Sequence, residues 1–119
     1  MSDSFKTSDE RTVDSCRDWF TVVEPRAGRF RLVGELDALA VRAVEDRLRR
    51  LGGDVEFECS EVTFIDSCGL HLLLAVRDAC EAEGGSLVVV NPSRCLLRIL
   101  ALSGLSAMLV TRVDGSWQR

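Results

Sequence analysis

The sequence lacks the features that mark membrane-spanning, secreted and nucleic-acid-binding proteins. Its formal net charge is −4, so it has no basic excess for nucleic acid or an anionic membrane surface. No apolar run approaches the ~20 residues that cross a bilayer, and the polar residues 1–10 have no apolar stretch behind a basic start, which a signal peptide requires. We therefore expect a cytoplasmic protein without a direct nucleic-acid or membrane partner.

Histidine and paired cysteines are also scarce. The five cysteines are an odd number without paired spacing, so in a reducing compartment we expect free thiols, mostly as small buried side chains. Cys68 and His71 have the spacing of half a metal site, but His71 is the single histidine and no second cysteine pair is near. Neither GxxxxGK(S/T) nor GxGxxG occurs. The sequence therefore predicts no metal and no other cofactor.

The length and composition are those of a single domain. With 119 residues, 46% apolar and 29% charged, the chain is long enough for one real core and too short for two. Residues 1–16 are rich in Ser, Thr, Asp and Glu, which predicts a flexible N-terminal tail. The domain is expected over residues 17–113, with a C-terminal tail over 114–119.

Apolar periodicity predicts an opening hairpin followed by alternating helices and strands. The predicted strands are Trp19–Val23, Arg29–Val33, Val55–Cys59 with its apolar continuation Val62–Ile65, Ser86–Val90 and Ala107–Val110. The first helix follows Asp37, the second runs from about Ser67 to Glu83, and the third follows Ser93, with Asp37 and Ser93 as N-cap candidates. The expected buried stripe of the second helix is Gly69, Leu72, Leu73, Val76 and Cys80. This order predicts an α/β fold with a mixed, mostly parallel sheet of four to five strands and helices mainly on one face.

The corner between the Val62–Ile65 run and the second helix carries the chemistry. Ser67 and Cys68 lie where the helix begins, and there free N–H groups and the positive end of the helix dipole favour an anion. The hydroxyl of Ser67, or the carboxylate of Asp66, can cap the helix. A phosphoryl group on Ser67 is compatible with that role, since the N–H groups of residues 68–70 could receive it and Gly69 would allow close approach.

Catalytic interpretations of this corner are weaker. A phosphatase cysteine needs an arginine-bearing phosphate loop, and none follows Cys68. His71 lies four residues along the same helix from Ser67, on a neighbouring face, and no third group that would orient it as a general base is identifiable. We therefore do not expect an enzyme. Cys68 is either a packed, inert thiol or a reactive one at the helix start. Arg94 and Arg98 form either a solvated stripe on the third helix or part of a partner surface.

Four sequence segments together resemble the STAS domain of bacterial anti-sigma factor antagonists, over about residues 19–110. They are Gly34–Asp37, Val62–Leu70, Asn91–Ser93 and Leu100–Leu105. The resemblance implies a STAS-type fold. It also implies an antagonist that binds an anti-sigma factor/serine kinase and thereby frees a sigma factor. That kinase would phosphorylate the serine of the corner and end the binding, and a serine phosphatase would restore it.

The resemblance also assigns roles to residues of this sequence. The phosphoacceptor position is occupied by Ser67, and the two acidic positions of the family pattern are occupied by Asp37 and Asp66. The partner-binding corner would comprise these acids with Cys68, Gly69 and His71.

Two positions depart from the family pattern. The residue after the acceptor is often Ser or Thr and is Cys68 here, and the usual Asp-Leu-Ser after the third strand is Glu58–Ser60. Two alternatives therefore stay open: a STAS scaffold or transport-complex subunit in which Ser67 is only a cap, and a thiol redox sensor at Cys68.

Overall fold

The structure is a computed structural model that describes residues 11–117. Its strands are β1 (Arg11–Cys16), β2 (Phe20–Arg26), β3 (Arg29–Leu36), β4 (Val55–Ile65), β5 (Leu87–Val90) and β6 (Val110–Arg112). Its α-helices are α1 (Ala38–Leu48), α2 (Ser67–Ala82) and α3 (Arg94–Ser103). Short 3₁₀ turns cover Ser106–Met108 and Gly115–Trp117.

One mixed sheet has the order β1-β2-β3-β4-β5-β6. The first three strands pair antiparallel, whereas β3 to β6 are parallel to one another and are linked by the helices. The predicted fold class is confirmed, except that the sheet has six strands instead of four to five.

The extra strand is β1, which was expected to be part of the N-terminal tail. Residues 11–16 instead pair with β2, and they bury Cys16 while Val13 packs against the core. The strand was not predicted because its residues are mostly polar. A polar composition is compatible with β1, since this strand lies at the edge of the sheet and has one side in contact with solvent. The remainder of the predicted tail, residues 1–10, lies outside the described residues.

The two predicted apolar runs at 55–59 and 62–65 form a single strand, β4. Two register shifts against β3 insert extra residues into β4, so Cys59, Val62 and Ile65 all face the interior despite their spacing. This bulged strand carries the chain to the corner before α2.

The helices begin and pack as their sequences predict. Asp37 and Ser93 are the N-caps of α1 and α3, and each side-chain oxygen accepts from the backbone N–H three residues later. All members of the predicted α2 stripe are buried. They join core residues of the sheet such as Phe30 and Phe57, whose rings meet edge to face with centroids 5.9 Å apart. None of the helices within residues 11–117 is long and apolar enough to cross a membrane.

The C-terminal segment also departs from the prediction. The last strand begins at Val110 instead of Ala107, since Ser106–Met108 forms a 3₁₀ turn. Residues 114–117 are not a tail: Trp117 is buried, and the guanidinium of Arg29 lies 4.6 Å from the centre of its ring. Arg29 and Glu56 alternate with the core residues Phe30 and Phe57, so this segment lies on the face of the sheet opposite the helices. Residues 118–119 lie outside the described part of the chain.

Candidate functional site

The candidate site lies where the parallel strands β3 and β4 end side by side. Leu36 and Ile65 are register partners at the last position of these strands. The next residue of each strand, Asp37 and Asp66, caps the helix that follows. The fold therefore brings two carboxylates and two helix N-termini together at the carboxyl ends of β3 and β4.

The cap of α2 is Asp66 and not Ser67. Asp66 has extended backbone angles, and its Oδ1 accepts from the N–H of Gly69 at 3.1 Å. Its backbone carbonyl accepts from the N–H of Leu70 at 3.0 Å. Of the two capping candidates that the sequence left open, the structure selects the carboxylate. The Ser67 hydroxyl is therefore not required to satisfy the start of the helix.

Ser67 is the first residue of α2, and it is exposed. The N–H groups of Ser67 and Cys68 lie in the first turn, where no carbonyl precedes them in the helix to accept a hydrogen bond. From the sequence alone, this anion-receiving role was predicted for residues 68–70. That assignment is wrong for Gly69 and Leu70, because Asp66 already occupies their N–H groups. The groups open to an anion are those of the first two helical residues.

Gly69 has a packing role and not the role of admitting a phosphate. It is buried, and a Cβ atom there would lie 2.6 Å from the carbonyl oxygen of Leu36 and 2.7 Å from Cγ1 of Ile65. Since real Cβ atoms essentially never approach so closely, only glycine lets the first turn of α2 sit against the ends of β3 and β4. Gly69 thus fixes the position from which Ser67 projects.

Cys68 and His71 are both exposed on the first turns of α2. Within residues 11–117, no side-chain hydrogen bond joins Ser67 to His71, and no cluster of three or more His, Cys, Asp or Glu side chains is arranged to hold a metal. Neither nucleophilic activation of Ser67 by this histidine nor metal binding at Cys68 gains support. Both residues extend the accessible surface around Ser67.

Two apolar side chains at this corner were not predicted from the sequence. Leu39, in the first turn of α1, is 60% exposed, and Phe64, near the end of β4, is 46% exposed. A helical projection places Leu39 off the stripe of Val41 and Val44, which was a usable signal. The sequence contained no comparable signal for the exposure of Phe64, because the bulges in β4 break the alternation of buried and exposed residues. An acidic corner flanked by exposed apolar side chains is suited to binding another protein.

Comparison with known proteins gives a consistent assignment. The sequence model of the STAS domain family matches residues 19–115. An anti-sigma-B factor antagonist of Bacillus subtilis (strain 168) is 27% identical over 81 residues, which cover 66% of this chain and 74% of that protein.

Two solved structures of SpoIIAA share the fold at 22% sequence identity. The unphosphorylated anti-sigma factor antagonist SpoIIAA has a TM-score of 0.61, with 77% of this chain and 86% of that chain covered. The phosphorylated form of SpoIIAA, described as a Bacillus cell fate determinant, has a TM-score of 0.58, with 77% and 89% covered.

The family match spans most of the described structure. It includes β2 to β6 and all three α-helices, and β1 precedes it. The resemblance inferred from the motifs is thereby confirmed: the chain belongs to the STAS domain family.

Proposed function

We propose that this protein is an anti-sigma factor antagonist that is switched off by phosphorylation of Ser67. In its unphosphorylated form it binds an anti-sigma factor/serine kinase through the Ser67 corner and releases a sigma factor. The observation that carries the proposal is the exposed Ser67 hydroxyl at the first position of α2, left free because Asp66 makes the cap. On this proposal the protein is a cytoplasmic regulator and not an enzyme.

The chemistry of the switch suits this position. In the transfer, the Ser67 hydroxyl oxygen bonds to the γ-phosphorus of ATP and its proton passes to a base of the kinase, while the bond from that phosphorus to the bridging oxygen breaks and ADP leaves. The phosphoryl group adds about −1.5 to −2 charges and three acceptor oxygens. The open N–H groups of Ser67 and Cys68 can stabilise part of this charge without melting α2. The modification would therefore change the surface and leave the fold intact.

The same charge would end the binding of the partner. Asp37 and Asp66 already make this corner acidic, so a partner that docks here is expected to present basic groups. A roughly dianionic phosphate buried at the centre of such an interface loses its water, and its desolvation opposes association unless an arginine meets it. We expect a loss of several kcal/mol of binding free energy. A serine phosphatase would reverse the change.

The experiment is phosphorylation by a recombinant anti-sigma factor/serine kinase of the same organism with ATP, followed by mass spectrometry. We expect one phosphate, located on Ser67, and none on the Ser67→Ala variant. In a binding assay with the same kinase and ADP, Ser67→Ala should bind like the native protein and Ser67→Asp should not. If both variants bound equally well, Ser67 would be only a structural residue of a scaffold, and the proposal would fail.

A further inference from the structure

The charges of this acidic protein are unevenly distributed along the chain. Residues 84–113 contain no aspartate or glutamate, although the whole chain has 19 acidic residues. The same segment contains Arg94, Arg98 and Arg112. It forms β5, α3 and β6. Because Arg112 pairs with Glu56 on the sheet face opposite the helices, Arg94 and Arg98 alone make the α3 side basic, whereas the Ser67 corner beside it is acidic.

The two arginines of α3 are exposed, and no carboxylate of the described residues pairs with them. Arg94 and Arg98 are one turn apart, and within residues 11–117 neither guanidinium forms an ion pair or a side-chain hydrogen bond. By contrast, Arg77 pairs with Asp78 at 2.7 Å, and Arg112 pairs with Glu56 at 2.8 Å. The cations of α3 are thus available to an external carboxylate.

These arginines line a groove between α3 and β4. The groove has a volume of about 350 Å³ and is lined by Val62, Thr63, Ser93, Arg94, Cys95 and Arg98. The Cys95 thiol donates to the carbonyl oxygen of Val62 at 3.0 Å, which holds the start of α3 against β4. Leu102, one turn beyond Arg98 on the same face of the helix, is 79% exposed. The surface therefore combines unpaired positive charge with apolar side chains.

The groove is continuous with the Ser67 corner. Val62 precedes Ser67 by five residues, which is ~16 Å along an extended chain at ~3.3 Å per residue. Thr63 and Phe64, which lie between them, are both exposed. A standard interface covers ~800 Å² on each partner, or about 28 Å across if it is square. One partner can therefore cover the corner and the groove together.

We propose that the α3 groove is the second half of the partner surface and receives an acidic segment of the partner, with an apolar side chain of that segment against Leu102. This inference rests on the proposed function, since the partner is the anti-sigma factor/serine kinase that docks at Ser67. The partner then meets an acidic half around Asp37 and Asp66 and a basic half around Arg94 and Arg98. Opposite charges on the two halves fix the orientation in which it docks and place its active site over Ser67.

The test is charge reversal on α3, with a matched control. The Arg94→Glu/Arg98→Glu variant should bind the recombinant anti-sigma factor/serine kinase on the order of tenfold more weakly, or worse, at low salt. Its affinity should also depend less on salt concentration than that of the native protein. The control is Arg26→Glu/Arg50→Glu, which has the same change of net charge. Both sites are exposed and lie far from the corner, since Arg26 ends β2 beside the start of β3 and Arg50 follows the C-terminus of α1, so native affinity is expected. Circular dichroism establishes that both variants fold.

The outcomes separate this inference from the proposed function. If Ser67→Asp abolishes binding while the α3 variant binds like its control, the groove proposal is overturned and the phosphoswitch stands. If the native protein does not bind the kinase, both fail. Two further results would overturn the groove proposal by assigning another occupant. One is co-sedimentation with phosphatidylglycerol-containing vesicles that depends on Arg94 and Arg98, and the other is self-association that disappears in the α3 variant.

Discussion

The Oδ1 atom of Asp66 accepts a hydrogen bond from the backbone N–H of Gly69 at 3.1 Å, and this contact leaves Ser67 free. Because the carboxylate satisfies the helix start, the hydroxyl one residue later has no structural duty there. Asp66 and Ser67 were both candidates for the N-cap of α2. In the structure Asp66 has the structural role of capping the helix, and the hydroxyl of Ser67 remains available for chemistry.

Because Asp66 caps α2 and Ser67 does not, substituting these two residues should change the free energy of unfolding by different amounts. Asp66→Ala should lower the free energy of unfolding by about 1 kcal/mol, the usual cost of losing an N-cap. Ser67→Ala, an exposed substitution outside the cap, should change it by less than about 0.5 kcal/mol. Urea denaturation followed by circular dichroism measures both. Asp37→Ala, which removes the equivalent cap of α1, is the control and should resemble Asp66→Ala. A larger loss in Ser67→Ala than in Asp66→Ala would contradict the assignment of the cap.

Gly69 is predicted to tolerate no side chain. Gly69→Ala places a methyl group against the carbonyl of Leu36 and the side chain of Ile65, so α2 or β3 must shift. We expect a loss of roughly 1–3 kcal/mol in the free energy of unfolding, the range for overpacking. Gly115→Ala is the matched control, because a Cβ atom there meets nothing within 4 Å. Equal stability of the two variants in a urea titration would show that the close approach of α2 to β3 is wrong.

Most of the fold followed from the sequence, for identifiable reasons. The caps at Asp37 and Ser93 and the buried stripe of α2 depend on local spacing, which is visible without a structure. The expectation failed where long-range contacts decide. Polar residues 11–16 form a strand because they pair with the edge of β2. The two apolar runs at 55–59 and 62–65 form one strand because pairing with β3 continues across the bulges between them.

The site was predictable to a similar extent. The motif located Ser67, Asp37 and Asp66, but local sequence could not decide which oxygen would make the cap. It also gave Gly69 the wrong role, because the carbonyl that it packs against belongs to β3, more than thirty residues earlier. Such a contact between residues far apart in the sequence is visible only in the folded structure, because spacing along the chain does not reveal it.

The burial of Trp117 is a second feature that the sequence did not predict, and it is testable. Its ring lies over Arg29, and its carbonyl oxygen accepts from Nη2 of Arg31 at 3.3 Å. Trp117→Ala should lower the free energy of unfolding by about 1.5–3 kcal/mol, the value for burying a large apolar side chain. Trp117→Phe should cost less, because it keeps the aromatic ring and removes an indole N–H that has no partner within residues 11–117. Chemical denaturation of both variants decides the point; no loss in Trp117→Ala would mean that residues 114–117 do not pack on the sheet.

The lowered pKa of Glu56 in the folded state predicts how the free energy of unfolding changes at low pH. Burial raises its pKa, but hydrogen bonds and charge attraction from Arg112 and Arg29 outweigh this effect and hold the pKa below the usual 4.5. A carboxyl whose pKa is lower in the folded state stabilises the fold above its unfolded pKa, and this contribution is lost as pH falls through the folded pKa. The free energy of unfolding should therefore decrease as pH falls below about 4.5.

Glu56→Gln isolates this contribution. The variant should be less stable than the native protein at pH 7, and the difference should shrink as pH falls below about 4.5, since the native carboxyl is then protonated. Thermal unfolding across this pH range provides the measurement. Glu45→Gln, on the solvent side of α1, serves as the control because its ion pair with Arg49 is exposed and contributes little. A difference between Glu56→Gln and the native protein that is independent of pH would contradict the ion-pair account.

The central claim is that phosphate on Ser67 prevents partner binding, and isothermal titration calorimetry tests it most directly. The anti-sigma factor/serine kinase is titrated with the unphosphorylated protein and with protein phosphorylated on Ser67, at the same salt concentration and with ADP present. The account predicts that phosphorylation weakens binding by on the order of a hundredfold or more, which is about 2.7 kcal/mol. Equal affinity of the two forms would contradict it.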